Sequence, residues 1–439
     1  MNESEYSCGS REHFDRRSIM KMAGLSGLSW LTPMATCLAR AGESNPRKQA
    51  KSLIVLWLEG APSQLETFDP HPGTDIAAGS KARKTKAKDV LLGEGLEQVA
   101  EEMDSISLVR AVTSKEGDHE RAIYNIKTGY RPDPTLNHPA IGSVVCHQLP
   151  SGNDDVAIPR HISILPASTP GRGGYLGSQF DAFKVFDPLQ PVPDVSARVG
   201  DERQSTRIEK LRFADEQFLR RQGRNRVLGD RLKNSNLDAA LQMMSSEQLN
   251  AFNVGKVPFS EREQFGDTPF GRGCLAAIRL IEAGVRCVEV TLTGWDTHVN
   301  NHELQAGRIN ILDPAYASLI RELKRRDLLD STLVVCGGEF GRTPWVNPVG
   351  GRDHWPHGFS LAMAGGGIKG GRVLGETNPN PKRDSKTPIK DLKVSFPVED
   401  IHATIFKAMG IEFQEELETP IGRPIKICQG RPIDNLLNG

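Results

Sequence analysis

Several features are missing from this sequence, and each absence removes a class of function. No Cys-x-x-Cys pair occurs among the seven cysteines, so a cysteine-built zinc site is not expected. There is no excess of either charge, with 55 basic and 55 acidic side chains, whereas a nucleic-acid binder needs a basic surface. Beyond the N-terminal segment, no apolar run reaches the roughly 20 residues that a membrane span needs. No internal repeat or low-complexity tract is present. Five cysteines lie past that segment: Cys146, Cys274, Cys287, Cys336 and Cys428. They are odd in number and widely spaced, which argues against a disulfide framework. Cys287 and Cys336 fall inside apolar, strand-like runs and are expected to be small buried core residues.

What is present begins with an address. Arg16-Arg17-Ser18-Ile19-Met20-Lys21 fits the twin-arginine export pattern, Met22 to Leu38 is weakly apolar and broken by Gly24, Gly27 and Pro33, and Ala39-Arg40-Ala41 supplies an A-x-A cleavage site. Residues 1–41 are therefore expected to be a signal peptide. Its partner would be the twin-arginine machinery, and the product would be exported, periplasmic or extracellular, with no membrane span after signal removal. That route carries folded proteins and suits one that loads a metal first. Residues 42–439 are long enough for one large or two ordinary domains, and a single domain is expected.

Helix and strand then alternate. Strands are expected at Ser52–Leu58, Ile106–Val112, His161–Pro166, Val285–Leu292, Thr332–Cys336 and Phe359–Ala364, with helices at Leu275–Ala283, Pro314–Arg325 and His402–Met409. Continuous apolar strands joined by helices predict an α/β three-layer sandwich around a mostly parallel sheet. Residues 203–252 are charged, proline-free and helical in period, with Phe213, Phe218, Leu219, Val227, Leu228 and Leu232 as an apolar face. They read as a helical insertion packed on the sheet.

Ligands of open parallel sheets bind at the carboxyl ends of the strands. Glu59, Ser63, Glu66, Asp69 and His71 follow the first strand, and Glu116, Asp118 and His119 the second. Asp296, His298 and His302 follow the fourth, Glu339 and Arg342 the fifth, and Arg352, Asp353, His354 and His357 precede the sixth. Taken singly, most of these have a plain local reading: Ser63 as a helix cap, Asp296 with His298 as a bonded turn, Asp353 to His357 as a solvated loop. Gathered at several strand ends, carboxylates and imidazoles are what a divalent cation such as zinc or manganese needs.

Four segments carry a resemblance. Gly60-Ala61-Pro62-Ser63-Gln64-Leu65-Glu66-Thr67-Phe68-Asp69-Pro70, Gly294-Trp295-Asp296-Thr297-His298, Gly338-Glu339-Phe340-Gly341-Arg342-Thr343-Pro344 and Gly351-Arg352-Asp353-His354-Trp355-Pro356 resemble the signature segments of an exported bacterial family filed as a domain of unknown function (number 1501). That family is placed in the alkaline phosphatase and sulfatase-like superfamily. The resemblance implies a metal-dependent hydrolase of phosphate or sulfate esters, acting on an anionic small-molecule or glycan ester. It implies Ser63 as nucleophile, Glu59 in the place of the first ligand aspartate, and Arg342 or Arg352 as an anion clamp. It further implies metal ligands among Asp296, His298 (or His302), Glu339, Asp353, His354 and His357. Phe340 stands where that superfamily has a ligand histidine, which leaves a second function open: a non-catalytic exported protein that binds an anionic glycan or a protein partner. Neither a Cys-x-Pro-x-Arg nor a Ser-x-Pro-x-Arg segment is expected, and without them sulfatase chemistry through formylglycine is not expected.

Overall fold

Ser52–Glu59 has no polar alternation and is buried along nearly its whole length, as a strand covered on both faces must be. It is the centre of the fold. The computed structural model describes residues 49–149, 156–193, 195–221, 240–383 and 385–437. In chain order the strands of the nine-stranded sheet are β1 (Ser52–Glu59), β2 (Ile106–Thr113), β3 (His161–Ile164), β4 (Phe183–Val185), β5 (Cys287–Thr293), β6 (Thr332–Gly337), β7 (His357–Gly365), β8 (Val373–Leu374) and β9 (Phe396–Pro397). Their spatial order is β8-β2-β7-β6-β1-β5-β3-β4, with β9 against β2. Only β7 runs antiparallel to its neighbours; every other pairing in this sheet is parallel. A two-stranded ribbon, Gly341–Arg342 against His354–Trp355, stands between β6 and β7.

The longer helices are α1 (His119–Thr128), α2 (Ile141–Gln148), α3 (Asp201–Arg221), α4 (Pro269–Glu282), α5 (Asn301–Arg325) and α6 (Val398–Ala408). Alternation along the strands sends Leu56, Leu58, Val288, Val290, Val334 and Cys336 into one core with α4 and α5. Leu53, Cys287, Leu333, Val335 and Leu361 enter a second core with α1, α2 and α6. The result is the expected three-layer α/β sandwich with a mostly parallel sheet.

The differences have local causes. The helix expected to start at Pro314 runs through it, from Asn301 to Arg325. A proline reads as a helix start because it has no N–H to donate; here Ile309, Leu312, Ala315, Tyr316 and Leu319 are buried on both sides of it, and packing outweighs the lost bond. Strands β4, β8 and β9 have two or three residues each, too few to show a period. In the expected insertion, Asp201–Arg221 is helical, but Phe213 is 64% exposed, so that side chain is not packed on the sheet. Val227, Leu228 and Leu232 lie outside the described residues, as do residues 1–41. The five described cysteines are all free and buried. Among the described residues, no helix is long and apolar enough to cross a membrane.

Candidate metal centre

The strand β5 ends at Thr293, and Gly294 turns the chain with φ 97, a left-handed conformation that favours glycine. The fully buried Trp295 anchors the turn, and Asp296 emerges at the end of the sheet. One of its carboxylate oxygens lies 2.6 Å from Arg342 Nη2, 3.1 Å from His298 Nε2 and 3.6 Å from His354 Nε2; the other is 3.4 Å from His119 Nε2. The ligand atoms of His119, Asp296 and His354 all lie within 4.8 Å of one another. Four segments of chain supply this group: the first residue of α1, the turn after β5 (Asp296 and His298), Arg342 in the ribbon and, in the ribbon's other strand, His354.

Each imidazole is held by its far nitrogen. His119 Nδ1 is 2.7 Å from Glu339 Oε1, His298 Nδ1 is 2.7 Å from Asp353 Oδ1, and His354 Nδ1 is 2.8 Å from the Gly117 carbonyl. These oxygens accept, so each Nδ1 carries a hydrogen, and in the neutral ring each Nε2 presents a lone pair toward Asp296. This is the arrangement by which outer carboxylates and carbonyls orient metal-bound histidines. It also creates a conflict, because His298 Nε2 and His354 Nε2 face each other at 3.0 Å. Two lone pairs do not approach that closely beside a carboxylate unless a cation, a proton or a metal, lies among them. Three imidazole nitrogens and a carboxylate oxygen are a donor set suited to zinc and similar divalent ions.

The charges agree with that design. The hydrogen bond to Glu339 raises the affinity of His119 for a proton, against the opposing effect of burial. Burial pushes the Asp296 carboxyl up, but the hydrogen bond and charge of Arg342, then His119 and His298, hold it below the usual range. His354 is lowered, first by burial and then, against its bond to Gly117, by the nearby cations.

The residues expected from sequence are distributed unevenly around this centre. Asp296, His298 and His354 converge, while Glu339 and Asp353 bond the imidazoles from behind. His357 lies outside the group: its ring packs edge-on against Trp355, with centroids 5.1 Å apart. His302 turns to Ala78 O, at 3.1 Å, and to Ser80. Ser63 is 0% exposed, and its backbone N–H donates to Gln305; a hydroxyl sealed beneath the turn has no route to an ester. Arg342 and Arg352 are both 0% exposed. Arg342 donates to Ala61 O, Gly60 O, Arg352 O and Asp296. Arg352 donates to Glu66, Thr343 O and Ile76 O. Neither is a free anion clamp; Arg342 positions Asp296. The Glu59 carboxylate accepts from the N–H and hydroxyl of Ser168, at 3.0 and 2.7 Å.

Two residues escaped the ligand and nucleophile assignments. His119 was visible as a strand-end histidine, but nothing local joined it to Asp296. Ser168 is an exposed hydroxyl on the loop after β3, hydrogen-bonded to a carboxylate at the end of β1. Its neighbour Ala167 packs with Trp57 of β1 and Ile123 of α1, and Lys127 at the other end of α1 donates to Thr169 O at 2.8 Å. The loop is thus fixed beside the helix that begins with His119. A signal existed: Ser168-Thr169-Pro170-Gly171-Arg172 spells Ser-x-Pro-x-Arg, so the expectation that neither the cysteine nor the serine form of that pattern is present is wrong for the serine form.

No curated protein matches this chain. Among solved structures it is similar to the alkaline phosphatase from the Antarctic bacterium TAB5, with 11% identity over 83% of this chain and 99% of that one and a TM-score of 0.37. It is also similar to the C-terminal periplasmic domain of EcEptC from Escherichia coli in complex with Zn, with 11% identity, 83% of each chain and a TM-score of 0.39. A third is the PsFucS1 sulfatase from Pseudoalteromonas sp., with 10% identity, 88% of this chain, 72% of that one and a TM-score of 0.35. Likenesses this distant assign neither a site nor an activity. The signature segments quoted above are matched within a longer stretch, residues 50–437, by the family described as protein of unknown function (DUF1501), and the chain belongs to that family.

Proposed function

We propose that the protein is an exported, metal-dependent hydrolase of phosphate or sulfate esters in the manner of the alkaline phosphatase and sulfatase-like superfamily, with phosphate monoesters as its first substrate class. The observation that carries the reading is the 3.0 Å approach of His298 Nε2 to His354 Nε2, with each Nδ1 committed to an acceptor. His119, Asp296, His298 and His354 would hold a divalent cation, zinc or manganese, and Glu339, Asp353 and Gly117 O would orient the imidazoles. Such an ion supplies neutralisation of an ester's oxygens.

The nucleophile is Ser168 and its base is Glu59, a hydroxyl and a carboxylate within hydrogen-bond reach. Ser168 Oγ attacks phosphorus as its proton passes to Glu59, and the alcohol leaves with a proton from solvent. Water then displaces Ser168: the proton held by Glu59 returns to Ser168 Oγ as its bond to phosphorus breaks, and the water oxygen bonds phosphorus, keeping one hydrogen and giving the other to solvent. A phosphoserine is opened by repeating the same displacement, which favours phosphate over sulfate. Metal analysis of purified protein, with aryl phosphates and sulfates as substrates, tests the reading. Bound metal and turnover are expected in the natural protein, and loss of both in Asp296→Ala. Neither metal nor turnover in the natural protein, with no change in Asp296→Ala, refutes it.

Phe340 supports one other reading, an exported protein that binds an anionic glycan. Its ring lies 4.5 Å from that of His354 and 5.0 Å from that of His119 and offers no ligand atom. Glycan binding that survives chelation, without turnover, favours it.

A further inference from the structure

With Arg342 and Arg352 sealed in and bonded, the question is which cation meets the substrate. Arg308 of α5 is partly exposed, and among the described residues it makes no hydrogen bond or ion pair. Its guanidinium lies over Gly294: a Cβ placed on that glycine would sit 3.2 Å from Arg308 Cδ and 3.3 Å from Nη1. Gly294 is two residues before Asp296, a separation of at most about 7 Å along the chain. It also follows Thr293, the register partner of Glu59. Arg308 therefore stands at the rim of the same strand ends as the metal centre and Ser168.

Its side of the rim is set by the alternation of the strands. Leu58 and Leu292 point into the core shared with α5. Glu59, next after Leu58, points the other way, toward α1, where it holds Ser168. Gly294 lies in the turn beyond β5, and its open face meets Arg308 of α5. Arg308 and Ser168 thus face the end of the sheet from opposite sides. A group bonded at Ser168 is on the far side from this guanidinium, so what meets Arg308 is a second substituent of the same substrate.

Resting on the proposed hydrolase reading, we infer that Arg308 binds a second anionic group of the substrate, so that the preferred class is a phosphate ester carrying a further carboxylate, sulfate or phosphate on the same small scaffold. Arg308 is a specificity residue, and a planar fork suits any of these oxyanions.

The test is binding of two non-hydrolysable probes to the metal-loaded protein by calorimetry: phenylphosphonate, and 4-phosphonobenzoate, which adds one carboxylate. The natural protein is expected to prefer 4-phosphonobenzoate by roughly tenfold or more. Arg308→Ala is expected to remove that preference while leaving phenylphosphonate affinity, metal content and melting temperature unchanged, and Arg308→Lys to keep part of it. Lys115→Ala, which removes an exposed lysine two residues from Gly117, controls for general loss of charge and is expected to keep the preference. Equal binding of both probes in the natural protein, or an equal loss in Lys115→Ala, overturns the inference and leaves the hydrolase reading standing. Failure of the metal-loaded protein to bind either probe overturns the hydrolase reading, and the role of Arg308 falls with it.

Discussion

Replacing Glu339 by glutamine is the sharpest test of the centre, because it changes one atom and a charge behind a single imidazole. Glu339 is 0% exposed, with Oε1 2.7 Å from His119 Nδ1 and 3.0 Å from the Gly60 N–H. Oε2 is buried and has no hydrogen-bond partner. In Glu339→Gln the amide oxygen can keep both of those bonds, so the NH₂ group must take the place of Oε2 and is left buried and unpaired. That costs about 1–3 kcal/mol of folding stability. The imidazole keeps its orientation and loses the charge that made it a stronger donor to a metal. Losses behind a metal-bound histidine run to about 10–100-fold in affinity, or about 1.4–2.7 kcal/mol. The assay is competition for zinc against a chromophoric chelator, with a thermal melt on the same samples. Glu116→Gln is the control, since among the described residues the Glu116 carboxylate bonds Arg121 and Arg131; it should leave zinc affinity unaltered. Zinc affinity in Glu339→Gln equal to that of the natural protein would refute the claim that His119 is a ligand oriented by Glu339.

Other consequences are measurable. Ser168→Ala is expected to lower turnover of an aryl phosphate by at least about a thousandfold with metal content unchanged, while Ser63→Ala, which deletes a buried unpaired hydroxyl, should keep full activity and shift stability by less than about 1 kcal/mol; comparable rates in Ser168→Ala and the natural protein would remove Ser168 from the mechanism. Lys127→Met leaves Glu289 without its 2.9 Å partner, both side chains being under a tenth exposed, and should cost about 3–5 kcal/mol in urea unfolding; a loss below 1 kcal/mol would show that the pair is solvated. His402 is fully buried, and burial lowers its pKa from 6.5 to about 4. Its neutral form therefore contributes full stability above pH 6.5, and that contribution is lost as pH falls to about 4, by about 3 kcal/mol in all. Stability curves against pH for the natural protein and His402→Gln should converge across that window, and parallel curves would contradict the assignment.

The fold was legible where burial leaves a one-dimensional trace. The unbroken apolar run of β1 and the helix before β5 announce themselves because sheet and helix both repeat their surroundings along the chain. Pro314 misled because its local preference ignores the core on either side. The centre was legible as a list of strand-end residues but not as a geometry. Asp296 and Arg342 are 46 positions apart, His119 and Glu339 220, and no spacing rule links them. Burial was equally hidden: Ser63 and Ser168 both follow strands, and only the packed structure shows that one is sealed and the other open. Arg342 and Arg352 illustrate the same limit, since an arginine in a glycine-rich strand-end loop reads alike whether it faces solvent or the underside of the turn.

Helix α1 has one more consequence. Its first residue, His119, enters the centre, and its ninth, Lys127, grips the loop that carries Ser168 through Thr169 O. At 1.5 Å per residue these two attachments are about 12 Å apart on one rigid rod. A tilt of the rod carries imidazole and hydroxyl together, so their separation is insulated from breathing of the surrounding layers. The protein thus has a built-in caliper: a shift of the whole assembly leaves the gap between His119 and the Ser168 loop unchanged.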